Sequence, residues 1–128
     1  MISKLIGWTV LASGFAALVA ACPLPASAQG LGDRTPCSVS TTVMDSGDRE
    51  RVGTLVGYIE SVINSMDSAH TEKGEPGIVA QLSDEGLTHL VAAVTVNCRD
   101  HPTMTIYNST AFVYRGTREM QKQLGIAR

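Results

Sequence analysis

The sequence predicts a small all-α protein, an orthogonal bundle of three to four helices closed by one disulfide bond. Apolar residues recur at intervals of three and four over two long segments, which is typical of amphipathic helices. A chain of 128 residues has room for one small domain, and only two cysteines follow the N-terminal export signal. The net charge of −2 and the 5% aromatic content disfavour nucleic-acid binding.

Residues 1–28 have the layout of a secretory signal peptide. Lys4 provides a short positive region, an uncharged apolar run follows, and Ala26-Ser27-Ala28 is a small-residue cleavage pattern. The apolar run is at the lower length limit for a bilayer span, so a retained transmembrane helix is one alternative. A lipid anchor is another, because the residues up to Cys22 resemble a bacterial lipobox. We expect a cleaved, periplasmic protein that contacts no membrane unless Cys22 is lipidated.

Removal of the signal peptide leaves 100 residues. We expect a flexible lead at 29–36, a helical domain at 37–125 and a short tail at 126–128. A domain of this size buries a limited core, so a covalent cross-link or a partner subunit is expected to stabilise it.

The cysteine count predicts one disulfide bond. Cys37 and Cys98 are the two cysteines after the signal peptide, and an even count in an exported protein is typical of a disulfide. Closing a loop of this length stabilises a fold by roughly 4 kcal/mol in the chain-entropy description. The alternative is a reactive thiol at Cys98, activated by His101 three residues later.

The first long helix is predicted at residues 48–68, with Ser46 as its N-cap and carboxylates in or near its first turn. A loop follows at 70–82, because Lys73-Gly74-Glu75-Pro76-Gly77 cannot continue a helix. The apolar patch 78–80 within that loop is expected to tuck against the core. The apolar stripe of the first helix consists of Val52, Leu55, Val56, Ile59, Val62, Ile63 and Met66.

Ser83 is the predicted N-cap of a second helix, which ends at His101-Pro102 because the residue before proline avoids the helical region. A third helix is predicted from Thr103. Its apolar pattern favours a helix at 104–116, although β-preferring residues leave a strand open there. We expect Gly116 to interrupt this helix and Gly125 to follow its end. The apolar stripe of the second helix consists of Leu87, Leu90, Val91, Val94 and Cys98.

The sequence carries none of the common motifs for metal binding, phosphate binding or nucleophilic catalysis. We therefore expect no enzyme activity, no cofactor and no metal site. His89 is expected on the surface, and the acidic residues at the helix starts are interpreted as capping groups. We expect the four methionines after the signal peptide to fill gaps in the core. They are Met44, Met66, Met104 and Met120.

Several of these features resemble the HdeA/HdeB-type acid-stress chaperones. The resemblance covers about 37–114 and rests on a signal peptide, Cys37, a helix centred on Leu55-Val56-Gly57-Tyr58-Ile59, and a second helix that ends Asn97-Cys98-Arg99-Asp100-His101-Pro102. Members of that family are small periplasmic helical proteins with one disulfide. This chain differs in its longer stretch between the cysteines and its longer C-terminal tail.

The resemblance implies a folded homodimer at neutral pH that dissociates and loosens in acid, and then holds unfolding periplasmic proteins. The net charge after the signal peptide would move from −3 toward +12 when carboxylates are neutralised and histidines are charged, which favours opening. The apolar helix faces would then bind clients. The implied client-binding residues are Val52, Leu55, Val56, Ile59, Val62, Ile63, Leu87, Leu90, Val91 and Val94.

A second resemblance is to the Rap/Tai-type immunity proteins of type VI secretion, exported helical domains that bind and neutralise a specific toxin. It rests on Gly57-Tyr58-Ile59-Glu60-Ser61-Val62, Leu90-Val91 and Asp100-His101-Pro102. These proteins tend to contain more cysteines than this chain has. The alternative function is therefore a periplasmic immunity or inhibitor protein with one specific protein partner.

Overall fold

A computed structural model describes residues 30–125, which form four α-helices and one 3₁₀ turn. No strand is present in this range, so the prediction of a small all-α bundle is confirmed. The predicted signal peptide, its alternatives and the tail at 126–128 lie outside the described residues. The elements are α1 (Cys37–Ser46), α2 (Arg49–Glu72), the 3₁₀ turn (Val79–Gln81), α3 (Asp84–Asp100) and α4 (Ile106–Gln123).

Helix α1 was not predicted, and it changes the start of the next helix. It ends at Gly47, whose φ of 66° is a left-handed conformation suited to glycine. Ser46 is therefore the last residue of α1. The N-cap of α2 is Asp48, whose side chain accepts hydrogen bonds from the backbone N–H groups of Glu50 and Arg51. Helix α2 also continues to Glu72, one turn beyond the predicted end.

The second predicted helix is confirmed as α3. The Ser83 hydroxyl caps it by accepting a hydrogen bond of 3.1 Å from the Gly86 N–H, and His101 follows its last residue. Helix α4 resolves the open question at 104–116 in favour of a helix. Its N-cap is Thr105 instead of Thr103. The helix also passes through Gly116 without a break.

The described part of the predicted flexible lead is fastened to the start of α4. The Thr35 carbonyl accepts a hydrogen bond of 2.9 Å from the Ile106 N–H, and the Cys37 N–H donates to the Met104 carbonyl at 2.7 Å. Pro36 and Thr105 form an isolated antiparallel bridge. These contacts fix the positions of Thr35 and Pro36, the two residues just before α1.

The core lies where α1 and α4 pack on α3 and where α2 packs on α4. The predicted disulfide joins Cys37 at the start of α1 to Cys98 near the end of α3, and both residues are fully buried. Met66 and Met104 pack against the core as expected. The expectation is wrong for Met44 and Met120, which are 37% and 61% exposed.

Within residues 30–125, no helix combines the length and apolar character needed to cross a membrane.

Candidate functional site

The ten residues predicted to bind clients are brought together, but they form the interior of the folded chain. Seven of them are buried, and the other three are partly buried and pack against the same core. They can meet a partner only if the helices separate. The buried residues are Leu55, Ile59, Val62, Ile63, Leu90, Val91 and Val94, and the partly buried residues are Val52, Val56 and Leu87.

The segment 73–82, which we call the connector, joins α2 to α3 and contains the 3₁₀ turn. The prediction that its apolar patch tucks against the core is confirmed for Ile78, whose side chain is fully buried. The rest of the connector is exposed or half-buried. Ile78 therefore anchors this irregular segment to the helices.

Asp67 lies near the end of α2 and is the buried carboxylate that holds the connector. Its Oδ1 accepts hydrogen bonds from the Ile78 N–H at 2.6 Å and from the Tyr114 hydroxyl at 2.8 Å. Its Oδ2 accepts one from the Val79 N–H at 3.3 Å. All three bonds are donated to the carboxylate. A single side chain thereby joins α2, the connector and α4.

Gly77 permits this close approach. A Cβ at this position would collide with the Asp67 carboxylate, whereas glycine leaves the space that the two oxygens need. Glycine is the residue that allows a backbone to pass so near another group. Glycine is therefore required at position 77 for steric reasons, in addition to its role in ending the helix.

A second set of charged groups fastens the outer part of the connector. Glu75 Oε2 accepts a hydrogen bond of 2.8 Å from the Arg118 guanidinium on α4 and lies 2.7 Å from His70 Nδ1 on α2. The Arg118 side chain is 8% exposed, and it also donates to the Pro76 carbonyl at 2.9 Å. The hydrogen bond from His70 and the positive charges of His70, Arg118 and Lys73 lower the pKa of Glu75.

Tyr114 connects the two sets of contacts. Its side chain is buried, its hydroxyl donates to Asp67, and its ring stacks on the His70 ring with centroids 5.9 Å apart. Burial and the hydrogen bond to Asp67 raise the pKa of Tyr114 to about 12. The phenol is the donor in this bond and the Asp67 carboxylate is the acceptor.

The sequence analysis did not select the residues that form this cluster. Asp67 has a visible signal, since it lies four and eight residues after Ile63 and Ile59 and so falls on the apolar stripe. A carboxylate on a buried stripe indicates a specific partner. Its partner on α4, Tyr114, is however 47 positions away along the chain, and no local pattern identifies it. The full cluster consists of Asp67, His70, Glu75, Tyr114 and Arg118.

The other two histidines, His89 and His101, do not belong to this cluster. The His89 side chain is 75% exposed, as predicted, and is 3.9 Å from Glu85 on the same helix. His101 is exposed at the end of α3. In the part of the chain that the structure describes, no group of three or more histidine, cysteine or acidic side chains is arranged to hold a metal ion.

The cluster holds α2, the connector and α4 together through two carboxyl groups, Asp67 and Glu75, that accept hydrogen bonds. The pKa of one of them, Glu75, is lowered by its partners.

Comparison with known proteins finds no family model that matches the chain, and no curated protein or solved structure that is significantly similar to it.

Proposed function

We propose that the protein is a periplasmic holdase chaperone that acid activates, and that it binds unfolding proteins through apolar helix faces hidden at neutral pH. The observation that carries this proposal is the Glu75 carboxylate of the connector, which accepts a hydrogen bond of 2.8 Å from the buried Arg118 guanidinium on α4. The connector is thus held partly by a carboxylate whose pKa is lowered in the folded chain.

The closing contacts weaken in acid because one of them depends on the charge of Glu75, whose pKa the fold lowers. Protonation of Glu75 removes the negative partner of Arg118, whose guanidinium is buried. Leaving a buried charge unpaired is strongly destabilising, whereas loss of an exposed pair costs little.

The disulfide limits how far the opened chain expands. It joins the start of α1 to the end of α3. The chain from Cys37 to Cys98, which includes α2 and the connector, is therefore a closed loop. The freed surface would be the apolar set on α2 and α3 that packs in the core. Aliphatic side chains of that kind bind exposed apolar segments of other unfolding proteins. The client class is therefore unfolded polypeptide, with no cofactor required.

The homodimer implied by the resemblance is part of this proposal as the resting form at neutral pH. The exposed residues Phe112 and Met120 lie on the outer face of α4 with Gly116 between them, and we call them the α4 ridge. They are 64% and 61% exposed. In this proposal the two exposed side chains form the contact between the two copies of the chain.

The test uses the oxidised protein purified from the periplasm of an expression host. It is titrated from pH 7 to pH 2 while dye binding, sedimentation and aggregation of an acid-unfolded test protein are followed. We expect dye binding and client protection to rise together below about pH 4, where carboxyl groups become protonated. A protein that stays closed and protects nothing at pH 2 would refute the proposal. Binding of one folded partner at neutral pH would favour the immunity-protein alternative instead.

A further inference from the structure

We propose that the connector is a strap that acid releases, and that the site it vacates between α2 and α4 binds aliphatic side chains of unfolded polypeptides in place of Ile78. The nature of the client rests on the proposed function. Release of the strap does not, because it follows from contacts within this chain.

The site between α2 and α4 already holds a peptide-like occupant. Ile78 inserts a fully buried aliphatic side chain, and its backbone N–H donates to Asp67. The next N–H, that of Val79, donates to the other oxygen of the same carboxyl group. An aliphatic side chain on a short, irregular backbone is also what an unfolding client offers. The chemistry of the occupant thus indicates the chemistry of the ligand.

Titratable and charged side chains of two helices face the strap. Helix α2 contributes Asp67 and His70, and α4 contributes Tyr114 and Arg118. The strap itself carries Glu75 as the acidic partner and Lys73 nearby. Protonation of Glu75 leaves the buried Arg118 guanidinium and the nearby Lys73 without their acidic partner. Repulsion between them then opposes closure.

The strap can leave without unfolding a helix. Its regular structure is limited to the three-residue turn Val79–Gln81. Gly74 has a φ of 77° and marks the point where the chain turns away from α2. Ile78 is the fully buried residue of the strap, and Val79 and Leu82 are partly buried against the core, so three apolar side chains must leave. Segments with these properties open at lower cost than core helices.

Hydrogen exchange tests the release without any client. We expect the Ile78 and Val79 amides to lose protection at a higher pH than the buried Val94 amide in α3. The variant Asp67→Asn should lower the protection of the Ile78 and Val79 amides by roughly tenfold or more at every pH, because it removes the carboxylate to which both amides donate. Asp45→Asn is the matched control, since Asp45 pairs with Arg99 between α1 and α3, 2.7 Å apart and away from the strap.

Loss of protection at Ile78 and Val94 at the same pH, in the wild-type protein and in the variants, would overturn the strap. Glu75→Gln provides a second route if Asp67→Asn fails to fold, because Glu75 is 47% exposed and its change leaves the core intact. It should open the strap at a higher pH than the wild-type protein does.

Cross-linking locates the binding site. A photoreactive residue replaces Met66, which precedes Asp67 on α2 and lines a groove with His70 and Tyr114, the side chains that contact Glu75 and Asp67. The probe is a labelled hexapeptide that copies residues 77–82, compared with a copy that has serine in place of Ile78. At pH 3 we expect cross-linking at Met66 to be several-fold stronger with the isoleucine peptide. A photoreactive residue at Val96, 61% exposed on α3, is the control for chance contact.

The two proposals can fail separately. If the strap opens and binds the hexapeptide but the protein protects no unfolding test protein, the holdase function is wrong and the strap stands. If clients are protected while the Ile78 amide stays closed, or the peptide cross-links equally at Met66 and Val96, the strap site is wrong and the holdase function stands.

Discussion

The Asp67 carboxylate on α2 accepts a hydrogen bond of 2.8 Å from the Tyr114 hydroxyl on α4, across 47 positions of sequence. The same oxygen accepts the Ile78 N–H of the connector. Two helices and the segment beside them therefore share one buried acceptor. A change at any of the three groups alters how the others are held.

Tyr114→Phe should destabilise the fold by roughly 1–3 kcal/mol at neutral pH, because a hydrogen bond to a charged acceptor is lost while the ring still packs. Urea unfolding followed by circular dichroism measures the change. Tyr107→Phe is the matched control, since Tyr107 is on the same helix and 37% exposed. Equal stabilities of the two variants would contradict the role given to the Tyr114 hydroxyl.

The stability that Glu75 contributes to the fold should be lost as the pH falls. Its pKa is lowered in the folded state, so it binds protons more weakly there than in the unfolded chain. The stability it contributes is present above its ordinary pKa of 4.5 and is lost as the pH falls through the lower folded value.

Urea unfolding at steps from pH 7 to pH 3 checks this dependence. In the Glu75→Gln variant, the free energy of unfolding should depend less steeply on pH below pH 4.5. Glu60→Gln is the control, because Glu60 lies on α2 away from the connector. A Glu75→Gln profile that overlays the wild-type profile would show that the carboxyl group has no part in acid opening.

Gly77→Ala should destabilise the protein, because the new methyl group meets the Asp67 carboxylate and must displace it from the connector amides. Gly57→Ala is the control, since its Cβ would meet open space on α2 and alanine favours a helix by about 1 kcal/mol. Thermal unfolding should move the two variants in opposite directions. A Gly77→Ala protein as stable as the wild type would mean that Asp67 is held less firmly than its distances indicate.

Loss of the disulfide should cost roughly 4 kcal/mol, because the closed loop between Cys37 and Cys98 spans 61 positions. The double variant with serine at both positions should unfold at a lower urea concentration and expand further at pH 2. Size-exclusion chromatography measures that expansion. An unchanged radius at pH 2 would show that the cross-link does not limit the opened state.

The α4 ridge should carry self-association at neutral pH. Phe112→Ser with Met120→Ser should weaken the homodimer by about tenfold or more, since exposed aromatic and methionine side chains supply the apolar contact. Sedimentation velocity over a concentration series gives the dissociation constant. Val96→Ser removes an equally exposed apolar side chain from α3 and should leave association unchanged. A wild-type protein that is monomeric throughout would remove the homodimer from the proposal.

Local patterns in the sequence determined the helical class and two of the main helices. The three- and four-residue spacing of Leu55, Ile59 and Ile63 marks one buried face, and the Ser83 cap marks where α3 begins. The two cysteines after the signal peptide predicted the disulfide that the structure contains. Each of these features depends on neighbours within about one or two helical turns.

Tertiary structure decided what the sequence left open. Helix α1 has only ten residues, and Cys37 at its start is held by the disulfide to α3 and by the Met104 carbonyl. The partners of Asp67 lie 11 to 47 positions away along the chain. Periodicity reports which face of a helix is buried, but not which distant group it meets. The contacts that join Asp67 and Glu75 to their partners exist only once α2, the connector and α4 have come together.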